Sequence, residues 1–309
     1  MIIALAGGVG GARLAHGLAR VLPPGELTVI VNTGDDFEHL GLHISPDPDT
    51  VLYTLAELAD AERGWGLRGE TFHAMEALGR LGGENWFALG DRDLATHIER
   101  TRRLAAGDTL SAITADFAAR LGISQAILPM SDDAVRTIVH TDAGALPFQD
   151  YFVRRHCAPR LISLEFAGAE TATPSPALRA AMARADLRGI IICPSNPFLS
   201  IGPILAIPGI RSWLAGRRVP CIAVSPLIGG KAVKGPAAKI LAELQIETTP
   251  RAIALHYQGL IDGLMIDEAD AADRFGECAV TATLMRDIAD RERLAREALA
   301  YIERLRPAA

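Results

Sequence analysis

Short apolar runs alternate with amphipathic stretches along this chain of 309 residues. The first run, at residues 2–6, is long enough for one buried strand, and apolar positions recur at helical spacing over residues 12–19 behind it. Because continuous apolar strands separated by helices are typical of a sheet covered on both faces, the pattern predicts an α/β fold with a mostly parallel sheet. Further buried strands are predicted at residues 27–31, 189–193, 220–224, 263–267 and 279–283.

The middle of the chain follows a different pattern. Amphipathic helices are expected first, and short strand-like pieces between Asp, Gly and Pro turns follow over residues 124–168. We therefore expect residues 51–170 to form an insertion, helical and then β-rich, that covers one edge of the sheet. Residues 1–50 and 171–309 would form the nucleotide-binding core. The strand-like pieces are residues 126–130, 137–140, 151–153 and 161–164.

The composition argues against a protein that binds nucleic acid or a membrane. The formal net charge of −6 and the aromatic content of 5% give no basis for binding nucleic acid or an anionic membrane. No run of 18 apolar residues predicts a membrane span. The first predicted strand begins at residue 2, which leaves no room for a signal peptide, so we expect a cytoplasmic protein. The four cysteines are far apart and lack the spacing of a metal site.

A glycine-rich turn follows the first predicted strand and carries Gly7, Gly8, Gly10 and Gly11. A strand, a glycine turn and a helix together aim a helix N-terminus and backbone N–H groups at a phosphate. We expect glycine here because the turn must adopt positive φ and a phosphate must approach the main chain. A tight turn without a ligand is the alternative. The dinucleotide pattern G-x-G-x-x-G fails at Arg13, and no lysine precedes Lys231, which excludes a Walker loop.

Four aspartates lie in the loops after the second predicted strand. Asp35 and Asp36 end the stretch that begins at Asn32 and Thr33, and Asp47 and Asp49 alternate with Pro46 and Pro48. Polar tips after buried parallel strands lie at the edge of the sheet where α/β folds bind ligands. Carboxylates near a phosphate suggest a divalent cation held by oxygen ligands. The alternative is that these aspartates cap helices and form turns.

Three later loops add candidate residues. Asp91 and Arg92 precede a predicted helix, where they would either cap it with a local ion pair or face a ligand. Ser195 and Asn196 follow one predicted strand. The next strand runs into a loop with candidate phosphate-binding residues, which are Gly229, Gly230, Lys231 and Lys234; the lysines could also be solvated loop residues. Convergence of these loops at one sheet edge predicts a large site.

Six stretches taken together resemble the 2-phospho-L-lactate transferase (CofD-like) family of coenzyme F-420 biosynthesis. They span about residues 6–231 in the order in which that family has them. The stretches are AGGVGGA at 6–12, VNTGDD at 31–36, SPDPDT at 45–50, LGDRDLATH at 89–97, PSNP at 194–197 and SPLIGGK at 225–231.

The resemblance implies a Rossmann-like core, a homodimer, Mg²⁺ and a transferase reaction. A guanosine diphosphate-linked three-carbon acid would pass its acid-bearing phosphoryl group to the ribityl hydroxyl of the deazaflavin Fo, with release of GMP. The acid could be 2-phospholactate, phosphoenolpyruvate or phosphoglycerate. Asp49 and Arg92 match the deazaflavin-binding positions, and Asp36 joins them as a candidate catalytic residue. Metal ligands are expected among Asp35, Asp36 and Asp49. The substrate-binding set is Gly8, Gly10, Gly11, Thr33, Asp49, Asp91, Arg92, Ser195, Asn196, Gly229, Gly230 and Lys231.

Two other functions compete with this interpretation. Nucleotide-sugar-binding regulators of the gluconeogenesis-factor type carry a similar glycine turn and would be binding modules. An NAD-dependent dehydrogenase is weakened by Arg13 and by the lack of an evident catalytic histidine partner. The stretches around Asp49 and Arg92 favour the transferase.

Overall fold

The centre of the protein is a seven-stranded parallel sheet, seen in a computed structural model that describes residues 1–232, 237–276 and 278–305. The strand order is β14-β13-β10-β9-β1-β2-β5, and every neighbouring pair runs parallel. This confirms the predicted α/β class. The strands are β1 (Ile2–Ala6), β2 (Leu27–Val31), β3 (Phe37–His39), β4 (Leu42–Ile44), β5 (Ala126–Pro129), β6 (Arg136–Thr141), β7 (Gly144–Pro147), β8 (Leu161–Ala167), β9 (Gly189–Ile192), β10 (Cys221–Val224), β11 (Leu227–Ile228), β12 (Lys231–Ala232), β13 (Gly263–Asp267) and β14 (Cys278–Thr281).

Helices cover both faces of the sheet. Alternate residues of β1 belong to two separate cores: Ile3 and Leu5 pack on one face, and Ile2 and Ala4 on the other. Because both faces are covered, whole strands are apolar, and this is why single apolar runs predicted them correctly. The helices are α1 (Gly8–Val21), α2 (Pro46–Leu55), α3 (His73–Arg80), α4 (Asp93–Ala105), α5 (Leu110–Arg120), α6 (Pro176–Met182), α7 (Gly202–Ala206), α8 (Pro208–Ala215), α9 (Ala237–Glu243), α10 (Pro250–His256) and α11 (Ile288–Leu305).

The strand order reverses direction between β1 and β9. After β1 the chain moves outward to β2 and β5, whereas β9, β10, β13 and β14 extend to the other side. Such a switch point opens a crevice at the carboxyl ends of the two central strands, where α/β folds place ligands. The loops that follow β1 and β9 meet there, since the Gly7 N–H donates to Ser195 Oγ at 3.1 Å.

Part of the predicted insertion lies in the central sheet. Strand β5 pairs with β2 in parallel, from Thr28 with Ala126 to Val31 with Pro129. Residues 51–170 are therefore not one continuous excursion from the core, although the division into core and insertion is otherwise still a prediction. The β-rich part of the excursion is the antiparallel sheet β7-β6-β8.

One short stretch differs from the predicted strands. Residues 151–153, predicted as strand-like, lie instead in the π-helical turn Asp150–Arg154. Apolar runs of three or four residues are too short to show a period, so their spacing cannot separate a strand from a turn. Within the described residues no single helix is long and apolar enough to cross a membrane; Pro197–Ala206 and Pro208–Ala215 reach that length only together and are bent by 94°.

Candidate active site

A cavity of about 690 Å³ lies at the carboxyl edge of the central strands. The glycine turn after β1, the loop after β9 and the start of α2 form its floor. Residues 63–66, 86–88 and 148–153 form much of its outer wall. The volume lies within the range of about 300–1,000 Å³ that ligand pockets in proteins occupy.

The glycine turn is built for close packing more than for unusual backbone angles. Of its four glycines only Gly8 has a positive φ, at 63°. A Cβ on Gly10 would overlap the carbonyl oxygen of Pro194, and one on Gly11 would overlap Ser195 Oγ. The expected positive φ is therefore found at Gly8, and the expected approach of a phosphate to this turn stays a prediction. Gly10 and Gly11 allow the first turn of α1 to lie directly against the loop that follows β9.

The Asp47 carboxylate is hydrogen-bonded to the backbone N–H of Gly8, the first residue of α1. Its Oδ1 accepts a hydrogen bond from the Gly8 N–H at 2.7 Å, and its Oδ2 accepts one from Asn32 Nδ2 at 2.9 Å. Burial raises the pKa of Asp47 to about 6, which the hydrogen bonds from Asn32 and Gly8 oppose. The carboxylate therefore lies at the positive end of α1, within the cavity, and titrates near neutral pH.

The charges of Asp35, Asp36 and Asp47 interact with one another. Burial, followed by the charges of Asp47 and Asp36, raises the pKa of Asp35 well above its ordinary range. Asp36 accepts hydrogen bonds at Oδ2 from Ser45 Oγ at 2.8 Å and from His43 Nε2 at 3.1 Å. Its Oδ1 is buried and has no partner among the described residues.

These carboxylates fit a divalent cation. Three buried acids repel one another, and a buried acceptor without a donor is costly, so a cation would relieve both effects. Carboxylate oxygens are the ligands that Mg²⁺ prefers. Asp36 Oδ1 has no donor among the described residues and Asp35 Oδ1 accepts from Thr137 Oγ1 only at 3.4 Å, whereas both Asp47 oxygens accept shorter hydrogen bonds, so Asp35 and Asp36 are the better candidate ligands; Asp35 lines the cavity and Asp36 lies behind it.

Asp49 belongs to a different buried cluster from Asp35 and Asp36, the residues with which it was predicted to share a metal. Both of its carboxylate oxygens pair with the buried Arg100 guanidinium. His97 Nδ1 lies 3.7 Å from Asp49 Oδ2, and His97 Nε2 lies 3.2 Å from Asp93 Oδ2. The Tyr53 hydroxyl donates a hydrogen bond to Asp93 Oδ1. Burial raises the pKa of Asp49, and Arg100 and His97 oppose that shift by stabilising the charged form.

Asp49, Asp93 and His97 also bring ligand atoms within 4.8 Å of one another. Arg100 already neutralises Asp49 through both oxygens, and a mixed set with one imidazole suits Mg²⁺ less well than carboxylates alone. The Asp49–Arg100 cluster is therefore better described as a rigid polar wall of the cavity. Tyr53, Asp93 and His97 line the cavity from this wall.

Asp91 and Arg92 lie outside the cavity. The Asp91 carboxylate caps α3, since it accepts hydrogen bonds from the N–H groups of His73 and Ala74 at 3.1 and 3.0 Å. Arg92 is exposed, and its Nη1 lies 3.5 Å from the carbonyl oxygen of Arg68. The structure thus favours the capping alternative for Asp91, although it caps α3 and not the helix that follows it.

The later loops contribute unequally. Ser195 and Asn196 line the cavity, and Asn196 Oδ1 also caps the π-helical turn Pro197–Ile201. The N–H groups of Gly229 and Gly230 instead donate to the two carboxylate oxygens of Asp270, at 3.0 and 2.7 Å. Lys231 is exposed, and Lys234 lies outside the described residues. Thr33 is buried beside the acidic tip, and its Oγ1 has no partner among the described residues.

The outer wall of the cavity is aromatic. Trp65, Trp86, Phe87, Phe148 and Phe152 line it. The rings of Phe148 and Phe152 stack with centroids 5.2 Å apart, and those of Trp86 and Phe87 meet edge to face at 5.8 Å. Such a wall offers apolar area and ring faces to a flat, conjugated ligand.

Several site residues were not predicted. Asp93, His97 and Arg100 recur at helical spacing and are buried, so they form a polar stripe on the inner face of α4. Asp49 and Tyr53 show the same spacing on α2. Polar residues at positions i, i+4 and i+7 that should face a core are a signal that the sequence contains. Asp47 was noted among the loop aspartates but not assigned a ligand role.

Comparison with known proteins identifies the family of this chain. The family model described as 2-phospho-L-lactate transferase CofD matches residues 2–304. A phosphoenolpyruvate transferase of Streptomyces griseus is 44% identical over 317 residues, covering 99% of both chains. A 2-phospho-L-lactate transferase of Methanosarcina acetivorans is 41% identical and covers 89% of this chain and 88% of its own.

Solved structures support the fold. A UPF0052-family protein of Bacillus halodurans aligns with a TM-score of 0.62 at 14% identity, covering 96% of this chain and 98% of its own. At that identity the likeness concerns the fold alone. The family match over nearly the whole chain does not favour a nucleotide-sugar-binding regulator. This chain belongs to the 2-phospho-L-lactate transferase CofD family and is an enzyme of that family.

Proposed function

We propose that this enzyme transfers the phosphoenolpyruvyl group from a guanosine diphosphate-linked donor to the ribityl hydroxyl of the deazaflavin Fo, in coenzyme F-420 biosynthesis. A bond forms between the hydroxyl oxygen and the phosphorus that bears the acid. The bond from that phosphorus to the oxygen bridging the two phosphates breaks, and GMP leaves with that oxygen. The observation that carries the proposal is one cavity that joins a helix N-terminus, buried carboxylates and an aromatic wall.

The choice of acid follows the relatives. The Streptomyces protein that matches across 99% of both chains is named a phosphoenolpyruvate transferase. The Methanosarcina protein named for 2-phospholactate matches a smaller share of the chain, at a lower identity. Enolpyruvate is therefore the acid that we propose, with lactate as the competing donor.

The donor diphosphate would lie at the start of α1. The Val9 and Gly10 N–H groups are in the first helical turn, where no intrahelical acceptor is available, and both residues line the cavity. The helix dipole favours an anion at this end. Gly8 is already bonded to Asp47, so it fixes the acid rather than the substrate.

The carboxylates of Asp35 and Asp36 would hold Mg²⁺. The ion would supply positive charge to the transferring phosphoryl group, the main requirement of this chemistry. Asp47, with a pKa of about 6, is the carboxylate that we assign to accept the proton of the attacking hydroxyl. Its hydrogen bonds to Gly8 and Asn32 hold it in place.

The acceptor would lie against the aromatic wall. A deazaflavin is a flat tricycle, and the faces of Trp65, Trp86 and Phe148 offer stacking area on that side of the cavity. Tyr53, Asp93 and His97 offer hydrogen-bonding atoms to a polyhydroxyl chain. The Arg100 pair with Asp49 keeps this polar wall fixed.

A competition experiment tests the proposal. The protein is incubated with Fo, Mg²⁺ and an equimolar mixture of the enolpyruvyl, lactyl and glyceryl donors, and deazaflavin products are separated by mass. We expect the enolpyruvyl product to dominate. A dominant lactyl product would overturn the choice of acid, and no deazaflavin product would overturn the proposed acceptor. The cytoplasmic location and the homodimer remain predictions.

A further inference from the structure

A second cavity, of about 330 Å³, adjoins the first. The two share wall residues, among them Val9, Arg13, Tyr53 and Trp65. Its other walls come from α11 and from the stretch after α2. A group bound at the start of α1 could therefore extend into this second cavity.

Three arginines of the second cavity, Arg13, Arg68 and Arg291, have no carboxylate partner within the part of the chain that the structure describes, and of these Arg13 and Arg291 are partly buried whereas Arg68 is exposed. Arg13 donates from Nη1 to the carbonyl oxygen of Met285 at 3.1 Å. Arg291 lies with Nη1 3.3 Å from His16 Nδ1, and its Nε is buried without any hydrogen-bond partner in the described residues. Burial and the charge of Arg13 lower the pKa of Arg291, whereas the charges of Glu57 and Asp287 act to raise it.

The fold holds Arg291 in this position. Helix α11 packs so closely on α1 that a Cβ on Gly17 would overlap the Arg291 carbonyl oxygen. His16 lies beneath, with Nε2 3.3 Å from Glu57 Oε1, so its Nε2–H donates to Glu57 and its Nδ1 accepts from Arg291. An imidazole carries no negative charge, so this contact with His16 does not compensate the Arg291 charge.

Arg13 and Arg291 differ from the other arginines nearby, which are either exposed, as Arg68 is, or paired with acids. Arg286 bonds Asp290 at 2.9 Å, and Arg20 bonds both Glu57 and Glu292 at 2.7 Å. Glu57, Asp60 and Asp287 line the same cavity but form no ion pair with Arg13 or Arg291, so the charges of these two partly buried guanidinium groups are compensated only at longer range among the described residues, which raises the free energy of the site. An anion between them would remove that cost through charge-assisted hydrogen bonds.

We propose that Arg13 and Arg291 form an anion subsite that binds a second acidic group of the donor, beyond the phosphate at the start of α1. This rests on the proposed function, in which the donor carries two phosphates and a carboxylate. Phosphate and carboxylate each present two oxygens that can accept paired N–H hydrogen bonds from a guanidinium group. The subsite explains why residue 13 is an arginine where a dinucleotide-binding turn would have glycine.

The test compares Arg291→Gln and Arg13→Gln with the wild type. GDP affinity is measured by calorimetry at constant ionic strength, and KM is measured for the guanosine diphosphate-linked donor. A GDP affinity about tenfold weaker assigns the subsite to a nucleotide phosphate, on the scale of one charged contact. An unchanged GDP affinity with a KM about tenfold higher assigns it to the carboxylate of the acid. Both constants within about twofold of the wild type in both variants would overturn the proposal.

Controls separate the subsite from general charge and from folding. Arg296→Gln removes an exposed cation of α11 that pairs with Glu292, and it should leave both constants unchanged. An equal loss in Arg296→Gln would mean a long-range charge effect and would refute the subsite. If Arg291→Gln does not fold, Arg291→Lys and Arg13→Gln carry the same comparison. GDP binding requires no turnover, so weaker GDP binding in an enzyme inactive with every donor would support the subsite while the proposed reaction failed.

Discussion

The Gly8 N–H donates a hydrogen bond to Asp47 Oδ1 at 2.7 Å, so a side chain of the protein already accepts from the first amide of α1. A donor phosphate bound here, as we propose, would therefore meet the amides of Val9 and Gly10. The same contact holds an acid with a pKa near 6 beside the place where the donor phosphates would lie. This contact links the fold to the chemistry that we propose.

Replacement of Asp47 by asparagine should reduce kcat strongly. Asparagine keeps the shape but cannot accept the hydroxyl proton, and loss of a proton acceptor costs on the order of 10²-fold or more. One oxygen can still accept from Gly8, so the backbone turn should persist. Initial rates with both substrates varied measure the effect. Asp91→Asn, at an exposed cap of α3, is the matched control and should retain its rate. A kcat of Asp47→Asn near that of the control would remove Asp47 from the mechanism.

Asp47 should also make stability depend on pH. Its pKa is raised from 3.8 to about 6 in the folded state, so folding favours the protonated acid. The stabilising contribution is full below about pH 4 and is lost as pH rises through about 6. At about 1.4 kcal/mol per pKa unit, the loss is about 3 kcal/mol. Urea unfolding of the wild type and Asp47→Asn across this range measures it. Parallel curves for the two proteins would contradict the assignment.

Mg²⁺ should stabilise the protein more at about pH 8 than at about pH 5, because metal ligands must be deprotonated. Burial and two neighbouring acids raise the pKa of Asp35 well above its ordinary range, so protons compete with the ion as pH falls. The shift in melting temperature on adding Mg²⁺ measures the effect. Asp36→Asn should abolish the shift, whereas Asp91→Asn should keep it. An equal shift in Asp36→Asn would place the ion elsewhere.

Gly10→Ala should weaken both stability and donor binding. Its Cβ would overlap the carbonyl oxygen of Pro194, a backbone atom that can move only with the loop after β9. Overpacking of this kind costs about 1–3 kcal/mol. Gly216→Ala, where the nearest atom would lie 3.4 Å away, is the control and should be nearly neutral. Chemical denaturation with and without GDP gives both quantities. Wild-type stability in Gly10→Ala would show that the loop packs less tightly than we describe.

Asp49→Asn should reduce turnover by about two orders of magnitude and should also destabilise the fold. It leaves the Arg100 guanidinium buried without its counter-charge, which costs about 3–5 kcal/mol. Donor affinity should persist, because Asp49 lies in the polar wall and not at the glycine turn. Glu99→Gln is the control, because Glu99 forms an exposed ion pair with Arg102 on α4, the helix that carries Arg100. Normal turnover and stability in Asp49→Asn would make Asp49 a replaceable helix cap.

The sequence was sufficient for six of the seven strands of the central sheet but not for the pairing of the polar residues around it. Buried strands such as β1 and β9 are apolar throughout because helices cover both faces, so their positions could be predicted. Strand β5 was assigned to the insertion because nothing in its four residues shows that it pairs with β2. Glycine was correctly linked to a close approach, but the group approached at Gly10 is Pro194, which lies far away along the chain.

The same limit applies to the site. Asp35, Asp36 and Asp49 are near neighbours in sequence, yet Asp49 faces Arg100, which is 51 positions away. Ion pairs across helices depend on how α2 and α4 pack, and spacing within one helix does not contain that information. The polar stripe of α4 was present in the sequence and could have indicated a buried network.

A single-turnover reaction with Fo, the enolpyruvyl guanosine diphosphate donor and Mg²⁺ tests the central claim most directly. Released GMP and the deazaflavin product are quantified in the same sample, and the product mass is determined. We predict equimolar GMP and a phosphodiester that carries the enolpyruvyl phosphate on the ribityl chain. GMP without a new deazaflavin, or a deazaflavin that gains no phosphorus, would contradict the account.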